Sequence, residues 1–181
     1  RVKGAMKAVI STVDLDPDSL IEKARSSIGI IGIDLVKEVT DLSAQHAKFS
    51  NVRLSTSLAP DLPHIMASPS EIQQVILNLI NNAIDAIPPN EGGVVSLSTR
   101  TEENEVVLSV SDTGAGIPEA NIKRIFDPFF TTKPVGKGTG LGLSIVYGII
   151  KKLGGRVVVN SRTNMGTTFH LYFPLPGNDQ A

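Results

Sequence analysis

Three asparagines lie on one polar stripe of a predicted helix between residues 68 and 87. At about 100° per residue, the stripe covers an arc of roughly 100°. It contains Gln74, Asn78, Asn81, Asn82 and Asp85. Asparagine is a poor helix former, and amide oxygens are ligands that Mg²⁺ accepts. The stripe therefore predicts polar or metal-binding chemistry, with an ordinary amphipathic helix and a neutral wet face as the alternative.

A glycine-rich turn, Gly138-Thr139-Gly140-Leu141-Gly142, runs directly into a predicted helix that ends near Leu153. Glycines let backbone N–H groups approach an anion closely, and a helix N-terminus adds a positive dipole end. The turn is not a Walker A loop, because no Lys-Ser/Thr pair follows its last glycine. A Rossmann fingerprint requires a strand that leads into the glycine-rich turn, and no strand is predicted there. Taken alone, it predicts either an anion-binding loop or a flexible surface loop.

Asp112 ends a predicted strand and is followed by Gly114 and Gly116. A carboxylate held there can accept a hydrogen bond from an exocyclic amine such as adenine N6. Aspartate also starts ordinary turns, so this residue alone does not decide between the two.

The elements that would position these residues are predicted from apolar periodicity and turn residues. The asparagine-bearing helix opens with Ser68 as its cap, Pro69 in the first turn and Glu71 completing a capping box. Strands are predicted over residues 51–57, 94–100, 105–111, 156–161 and 167–173, with a short helix over 119–126 and a loop over 127–142. Helices layered on one face of a mostly antiparallel sheet make an α+β architecture.

The N-terminal part of the chain is predicted to be helical. Residues 1–12 form one predicted helix, and a second helical stretch runs to about Lys48. Four apolar residues in it recur at intervals of seven: Ile21, Ile28, Leu35 and Leu42. This spacing predicts a helical hairpin that pairs with a second copy of the chain. Packing of the helices onto the main domain is the alternative.

The composition excludes several classes of function. The 17 basic and 18 acidic residues give a net charge of -1. The chain therefore lacks the overall positive charge that would favour nucleic-acid binding. The chain has no cysteine, and hence no disulfide or thiolate metal site. No signal peptide is visible, and no apolar run approaches the roughly 20 residues of a bilayer span. We expect a soluble cytoplasmic segment without membrane contact of its own, whether or not a longer parent protein is anchored.

Five motifs occur in a fixed order along the chain: Asn78-Leu-Ile-Asn-Asn82-Ala, Asp112-Thr-Gly-Ala-Gly-Ile117, Phe126-Asp-Pro-Phe-Phe130-Thr-Thr-Lys133, Gly138-Thr-Gly-Leu-Gly-Leu143 and Gly166-Thr-Thr-Phe169. Together they resemble the N, G1, F, G2 and G3 boxes of the catalytic ATP-binding domain of two-component sensor histidine kinases, in the GHKL ATPase superfamily. The resemblance covers about residues 33–175.

The resemblance implies an α/β sandwich of the Bergerat type, with a mixed, mostly antiparallel sheet and helices on one face. ATP would lie between the helical layer and a mobile lid. The implied domains are a remnant of the dimerisation and phosphotransfer hairpin over residues 1–32, the catalytic domain over 33–175 and a tail over 176–181.

The resemblance also implies roles for individual residues. Asn78 would be the Mg²⁺ ligand, Asp112 the adenine reader, and Asn78, Arg124 and Lys133 the catalytic residues. Phe126, Phe129 and Phe130 would anchor the base of the lid, and Thr168 would lie near the adenine pocket. The implied ATP-binding residues are Asn78, Asn82, Asp85, Asp112, Gly114, Gly116, Ile117, Phe130, Lys133, Lys137, Gly138, Thr139, Gly140, Leu141, Gly142 and Thr167.

Two positions depart from the patterns of related proteins. Many such kinases have a basic residue where this chain has Asp85, so phosphate neutralisation would fall more heavily on Arg124 and on the lid lysines, Lys133 and Lys137. Gyrase- and MutL-like relatives place a glutamate general base where this chain has Gln74, which cannot abstract a proton from water. Phosphoryl transfer is therefore favoured over hydrolysis.

None of the three histidines, His46, His64 and His170, stands in the acceptor motif of the family. We therefore expect the acceptor histidine to lie before Arg1 in a parent protein. The resemblance implies a histidine kinase that binds ATP or ADP with Mg²⁺, forms a homodimer through its N-terminal helices and passes phosphate to a response regulator. The alternatives are a GHKL-type ATPase clamp and a non-catalytic nucleotide-binding interaction module.

Overall fold

The computed structural model describes residues 33–134 and 136–175. The helices in this part are α1 over Ile33–Phe49, α2 over Pro69–Ala86, α3 over Glu119–Ile122 and α4 over Gly142–Lys152. The strands are β1 over Val52–Ser57, β2 over Gly93–Glu102, β3 over Glu105–Asp112, β4 over Arg156–Ser161 and β5 over Thr167–Pro174. The five strands predicted from the sequence are thus confirmed, with ends shifted by at most two residues.

The strands form one sheet in the order β1-β2-β3-β5-β4. β1 runs parallel to β2, and the other three neighbouring pairs are antiparallel. This confirms the mixed, mostly antiparallel sheet. The register pairs Asp112 at the end of β3 with Thr167 at the start of β5, so two predicted site residues meet at one edge of the sheet.

Helix α2 supplies much of the core because its apolar side chains recur with the helical period. Its buried residues are Ile72, Val75, Ile76, Leu79, Ile80, Ala83 and Ile84. Each isoleucine, leucine or valine among them stabilises the fold by roughly 1.5–3 kcal/mol when it is fully buried. Helices α1 and α4 both contact α2, and α2 also contacts β3. Burial of this apolar side leaves the polar stripe of α2 at the edge of the core.

The helical predictions at the N-terminus are tested only in part. Helix α1 ends at Phe49, in agreement with the predicted end near Lys48. The hairpin over residues 1–32 and the tail over 176–181 lie outside the described residues, so the proposed domain division stays a prediction. No helix among residues 33–134 and 136–175 is both long and apolar enough to cross a bilayer.

The predicted capping box of α2 is wrong. Ser68 occupies the N-cap position but makes no side-chain cap hydrogen bond, and its hydroxyl lies 2.9 Å from that of Ser70. Glu71 pairs instead with the Lys152 ammonium at 2.6 Å. The Glu71 carboxylate is thus engaged by a side chain of α4 instead of by the N-terminal backbone of its own helix.

The short helix after the Asp112 loop is also shorter than predicted. Helix α3 ends at Ile122, and turns continue to Phe126. The N–H of Arg124 donates to the carbonyl of Asn121 at 2.8 Å. These i to i−3 bonds are characteristic of tight turns rather than of a continuing α-helix.

Candidate functional site

A cavity of about 520 Å³ lies between α2, the end of β3, the start of α4 and the loop before α4. We call residues 127–141 of that loop, apart from Val135, the lid segment. The cavity brings together predicted residues from all five motifs: Asn78, Asn82, Asp85, Asp112, Gly116, Ile117, Phe130, Lys133, Lys137, Gly138, Thr139, Gly140, Gly142 and Thr167. Gly114, Arg124 and Leu141 are the predicted site residues that do not line it.

The amide side chains of Asn78 and Asn82 lie beside the first residue of α4. A Cβ atom added to Gly142 would lie 3.6 Å from Asn82 Nδ2 and 3.7 Å from Asn78 Oδ1. The sequence achieves this because Gly142 has no side chain and the two asparagines are one helical turn apart. The unpaired N–H groups at the start of α4 therefore lie next to two amides, an arrangement suited to an anion.

The side-chain amide of Asn78 is not fully satisfied by the protein around it. Its Nδ2 atom is buried and has no hydrogen-bond partner within residues 33–134 and 136–175. A buried unpaired polar group costs about 1–3 kcal/mol. The assignment of amide oxygen and nitrogen is interchangeable, so the same side chain can present its oxygen to a ligand.

The amide of Asn78 fits a Mg²⁺ ion that is held mainly by phosphates. Mg²⁺ keeps several waters and takes one or a few protein oxygen ligands when it binds together with a nucleotide. No group of three or more His, Cys, Asp or Glu side chains able to hold a metal occurs in the described ranges. The donor set therefore fits a shared metal–phosphate site better than a metal site built from protein ligands alone.

Asp112 is buried at the cavity wall, where β3 ends. Its Oδ1 accepts hydrogen bonds from the N–H of Gly114 at 2.8 Å and from the N–H of Thr167 at 3.3 Å. Burial raises the pKa of the Asp112 carboxyl above its usual range, and these two hydrogen bonds oppose part of the rise. Both bonds engage Oδ1, so Oδ2 remains as an acceptor for a ligand donor.

Gly114 shapes this part of the cavity without lining it. A Cβ atom at Gly114 would lie 2.4 Å from the carbonyl oxygen of Ala86, and the next residue, Ala115, donates its N–H to that same oxygen at 2.8 Å. The loop after Asp112 is thus held against the end of α2, and only glycine permits so close an approach.

A backbone hydrogen bond joins the two ends of the lid segment. The N–H of Phe129 donates to the carbonyl of Gly140 at 2.9 Å, and both residues are left-handed, with φ of 66° and 67°. The Phe129 ring is 75% exposed, so its predicted role as a core anchor is wrong. Its backbone forms the attachment, while Phe126 and Phe130 pack against the core as predicted.

The predicted cations occupy different environments. Lys133 Nζ lies 2.6 Å from Asp85 Oδ2 and 3.5 Å from Asn82 Oδ1, at the cavity wall. Lys137 also lines the cavity. The Arg124 guanidinium lies 4.5 Å from the centre of the Phe130 ring, and its Nε is 3.8 Å from Asp127 Oδ2. The structure therefore does not bring Arg124 together with the other predicted phosphate contacts.

Two further predicted residues act beside the cavity rather than at its wall. Leu141 is the N-cap residue of α4, and its N–H donates to the hydroxyl of Thr139 at 3.3 Å. Thr168 lines a second cavity instead of this one, and its hydroxyl lies 2.8 Å from that of Ser111. The second cavity shares Asp112, Ile117 and Thr167 with the first, so Thr168 lies near the predicted adenine pocket, as expected, without lining it.

The sequence predictions assigned no role to several residues at the cavity wall. These are Asn81, Ala83, Ala86, Ala115, Pro118, Asn121, Ile125, Thr131, Thr132, Leu143 and Phe169. Asn81 belonged to the polar stripe, and its Oδ1 lies 3.1 Å from His46 Nδ1 on α1. Its position on the stripe was a usable signal, whereas the contribution of the turn after α3 required the folded structure.

Comparison with known proteins identifies the same region. The family model described as histidine kinase-, DNA gyrase B-, and HSP90-like ATPase matches residues 67–177. The chain is 42% identical over 159 residues to the sensor kinase CckA of Brucella abortus, covering 78% of this chain and 17% of that protein. It is 35% identical over 145 residues to sporulation kinase E of Bacillus subtilis, covering 80% and 19%. The chain thus spans less than a fifth of the length of these two relatives.

Solved structures agree with the sequence comparison. The catalytic domain of histidine kinase ThkA, in a nucleotide-free form, superposes with a TM-score of 0.68 at 34% identity, covering 78% of this chain and 90% of that one. Full-length ShkA in complex with AMPPNP gives a TM-score of 0.72 at 30% identity, covering 82% and 31%.

Proposed function

This chain belongs to the histidine kinase-, DNA gyrase B- and HSP90-like ATPase family, and we propose that it is the part of a sensor kinase that binds Mg-ATP and donates its γ-phosphate to a histidine. The observation that carries the proposal is the shared cavity. Its lining includes a buried carboxylate and two amides that lie beside a helix N-terminus.

Different residues of the cavity suit the base and the phosphates of a nucleotide. Asp112 would accept a hydrogen bond from the exocyclic amine of adenine through Oδ2, since Oδ1 already receives two backbone N–H groups. Asn82, the N–H groups at the start of α4 and the ammonium groups of Lys133 and Lys137 would meet the phosphates. Asn78 would hold Mg²⁺, which neutralises phosphate charge when bound. Arg124 would have to leave Phe130 and Asp127 to contribute.

The chemistry proposed is in-line transfer of the γ-phosphoryl group. An imidazole nitrogen of the acceptor attacks the γ-phosphorus, an N–P bond forms, and the P–O bond to the leaving ADP breaks. Such a reaction depends on positioning and charge neutralisation rather than on a protein base. Gln74 is exposed on α2 and does not line the cavity. Because it cannot act as a base on a water molecule there, its position supports phosphoryl transfer over hydrolysis.

The acceptor would belong to another segment of a longer protein. The His46 ring is hydrogen-bonded to the Asn81 side chain, and His64 is exposed in a loop. His170 is bonded to Ser109 in the sheet, where burial and the Arg100 guanidinium lower its pKa. A dimer formed through residues 1–32 would bring acceptor and donor together, and a response regulator would receive the phosphate.

The first prediction concerns self-labelling. This 181-residue chain should acquire no acid-labile phosphate from ATP, whereas a longer protein that includes the segment before Arg1 should become labelled. The measurement uses γ-labelled ATP with acid and alkali treatment of the product. Label on His46, His64 or His170 would contradict the acceptor assignment. Steady phosphate release without any labelled protein would identify hydrolysis instead of transfer.

The second prediction concerns the metal. Asn78→Ala should weaken binding of Mg-ATP by at least about tenfold, which corresponds to a loss of about 1.4 kcal/mol. It should weaken metal-free ATP much less, because the lost amide contributes through Mg²⁺. Titration calorimetry with and without a chelator measures both values, and Gln74→Ala, on the same stripe but outside the cavity, is the control. Equal losses in the two conditions would remove Asn78 from the metal.

A further inference from the structure

Asp85 forms an ion pair that bridges α2 and the lid segment. Its carboxylate lies near the end of α2, one turn beyond Asn82, and Oδ2 is 2.6 Å from Lys133 Nζ. The two side chains are 40% and 33% exposed, respectively. Lys133 is 48 residues away in the chain, so this contact joins the lid segment to the helix that carries the asparagines.

The stem of Lys133 is packed into this position. A Cβ atom added to Gly138 would lie 3.1 Å from Lys133 Cβ and 2.7 Å from the hydroxyl of Thr131. The same hydroxyl accepts the N–H of Lys133 at 3.1 Å. The lysine therefore points at α2 from a supported base rather than from a freely moving loop.

The ion pair engages the Lys133 ammonium group, which the proposed nucleotide site needs for phosphate binding. Lys133 and Lys137 are the Lys or Arg residues among those lining the described cavity, and in this structure the charge of Lys133 is compensated by Asp85. A γ-phosphate and the Asp85 carboxylate are competing anions for one ammonium group. A helix end that carried a basic residue in place of Asp85 would impose no such competition.

We propose that Asp85 is a specificity-determining residue that holds Lys133 until a γ-phosphate displaces it and recovers Lys133 once that phosphate has gone. This inference rests on the proposed nucleotide function. Binding of a diphosphate leaves the ion pair in place, whereas binding of a triphosphate must break it. The contact of the lid segment with α2 through Lys133 thereby depends on the third phosphate.

Asp85→Asn removes the competing charge with little change of shape. In the 181-residue chain, it should strengthen binding of a non-hydrolysable ATP analogue with Mg²⁺ by about two- to fivefold, the range expected for losing a partly exposed ion pair. Binding of Mg-ADP should stay within measurement error. Titration calorimetry of both nucleotides gives the ratio directly. The inference would be overturned if the affinity for both nucleotides rose equally. It would also be overturned if the affinity for the ATP analogue stayed the same or fell.

A double-mutant cycle separates the ion pair from simple charge repulsion. In a Lys133→Met background, Asp85→Asn should give a smaller gain for the ATP analogue than in the unmodified chain, because no ion pair has to break. An equal or larger gain would show that Asp85 acts on the phosphates without Lys133, and would overturn the proposal.

Glu119→Gln is the matched control, since Glu119 carries the same charge at α3 but does not line the nucleotide cavity. It should leave the ratio of the two affinities unchanged. A change as large as that of Asp85→Asn would reveal a general charge effect and count against the inference. If the unmodified chain binds neither nucleotide, the proposed function fails. If it binds both and Asp85→Asn leaves their ratio unchanged, only the role of Asp85 fails.

Discussion

Asp112→Ala is expected to lower the affinity for ATP by about five- to 150-fold and to narrow the preference for ATP over GTP. The range follows from the cost of leaving a buried donor without its acceptor, about 1–3 kcal/mol. The alanine also leaves the N–H groups of Gly114 and Thr167 without the oxygen that now accepts both. Competition of each nucleotide against a fluorescent ATP analogue measures both affinities. An unchanged preference for ATP would remove Asp112 from adenine recognition.

Asp112→Asn separates recognition from folding. It keeps an oxygen for the two backbone donors and replaces the other oxygen with an NH₂ group, so a donor would face the adenine amine. We expect this variant to fold and still to lose ATP affinity. A variant that unfolds would point to a structural role for the carboxylate, whereas full retention of ATP binding would contradict the proposed contact.

The pH dependence of unfolding provides an independent check on Asp112. Because burial raises its pKa above the ordinary value of 3.8, the folded state holds this proton at a pH where the unfolded chain has lost it. The carboxyl group's contribution to stability therefore falls as pH rises from 3.8 through the raised pKa. Asp112→Asn lacks this pH dependence. Any gain in its free energy of unfolding over the unmodified chain should therefore appear at a pH above the raised pKa and shrink as the pH falls toward 3.8.

Much of this fold follows from periodic patterns that are visible in the sequence. The apolar side of α2 recurs at the helical period, and burial alternates along β5 from Thr167 to Phe173. Strand ends were predictable because glycine and asparagine mark the turns between them. The main residues of the cavity were predictable for a different reason, since they lie in short ordered motifs whose spacing matches one family.

The parts that escaped prediction depend on contacts between side chains far apart in sequence. Nothing near Asp85 indicates that Lys133 reaches it across the cavity mouth. Nothing near Arg124 indicates that its guanidinium lies over the Phe130 ring rather than toward the phosphates. Glu71 satisfied the capping pattern, but Lys152 from another helix bound it instead. Such pairings are set by tertiary geometry, which local patterns do not encode.

The lid segment is attached at its base by a contact that only glycine tolerates. Gly140 has a φ of 67°, and a Cβ atom there would lie 2.4 Å from the carbonyl carbon of Phe129. The same two residues share a backbone hydrogen bond of 2.9 Å. Gly136, in the same segment, also has a positive φ of 87°, but a Cβ atom there would meet nothing within 4 Å. The two glycines therefore differ in crowding rather than in handedness.

Gly140→Ala should lower the affinity for Mg-ATP by about five- to 30-fold, because the free variant relaxes this crowded contact with the Phe129 backbone and must restore a left-handed alanine, at roughly 1–2 kcal/mol, to bind nucleotide. Gly136→Ala shares the backbone cost without the crowding, so its effect should be smaller.

In the unmodified chain, amide hydrogen exchange over residues 127–142 should slow more with a non-hydrolysable ATP analogue and Mg²⁺ than with ADP, because a γ-phosphate adds contacts with Lys133 and Lys137. Gly140→Ala should abolish that difference and Gly136→Ala should keep it. Equal protection without nucleotide, with ADP and with the ATP analogue would show that residues 127–142 are not a nucleotide-gated lid.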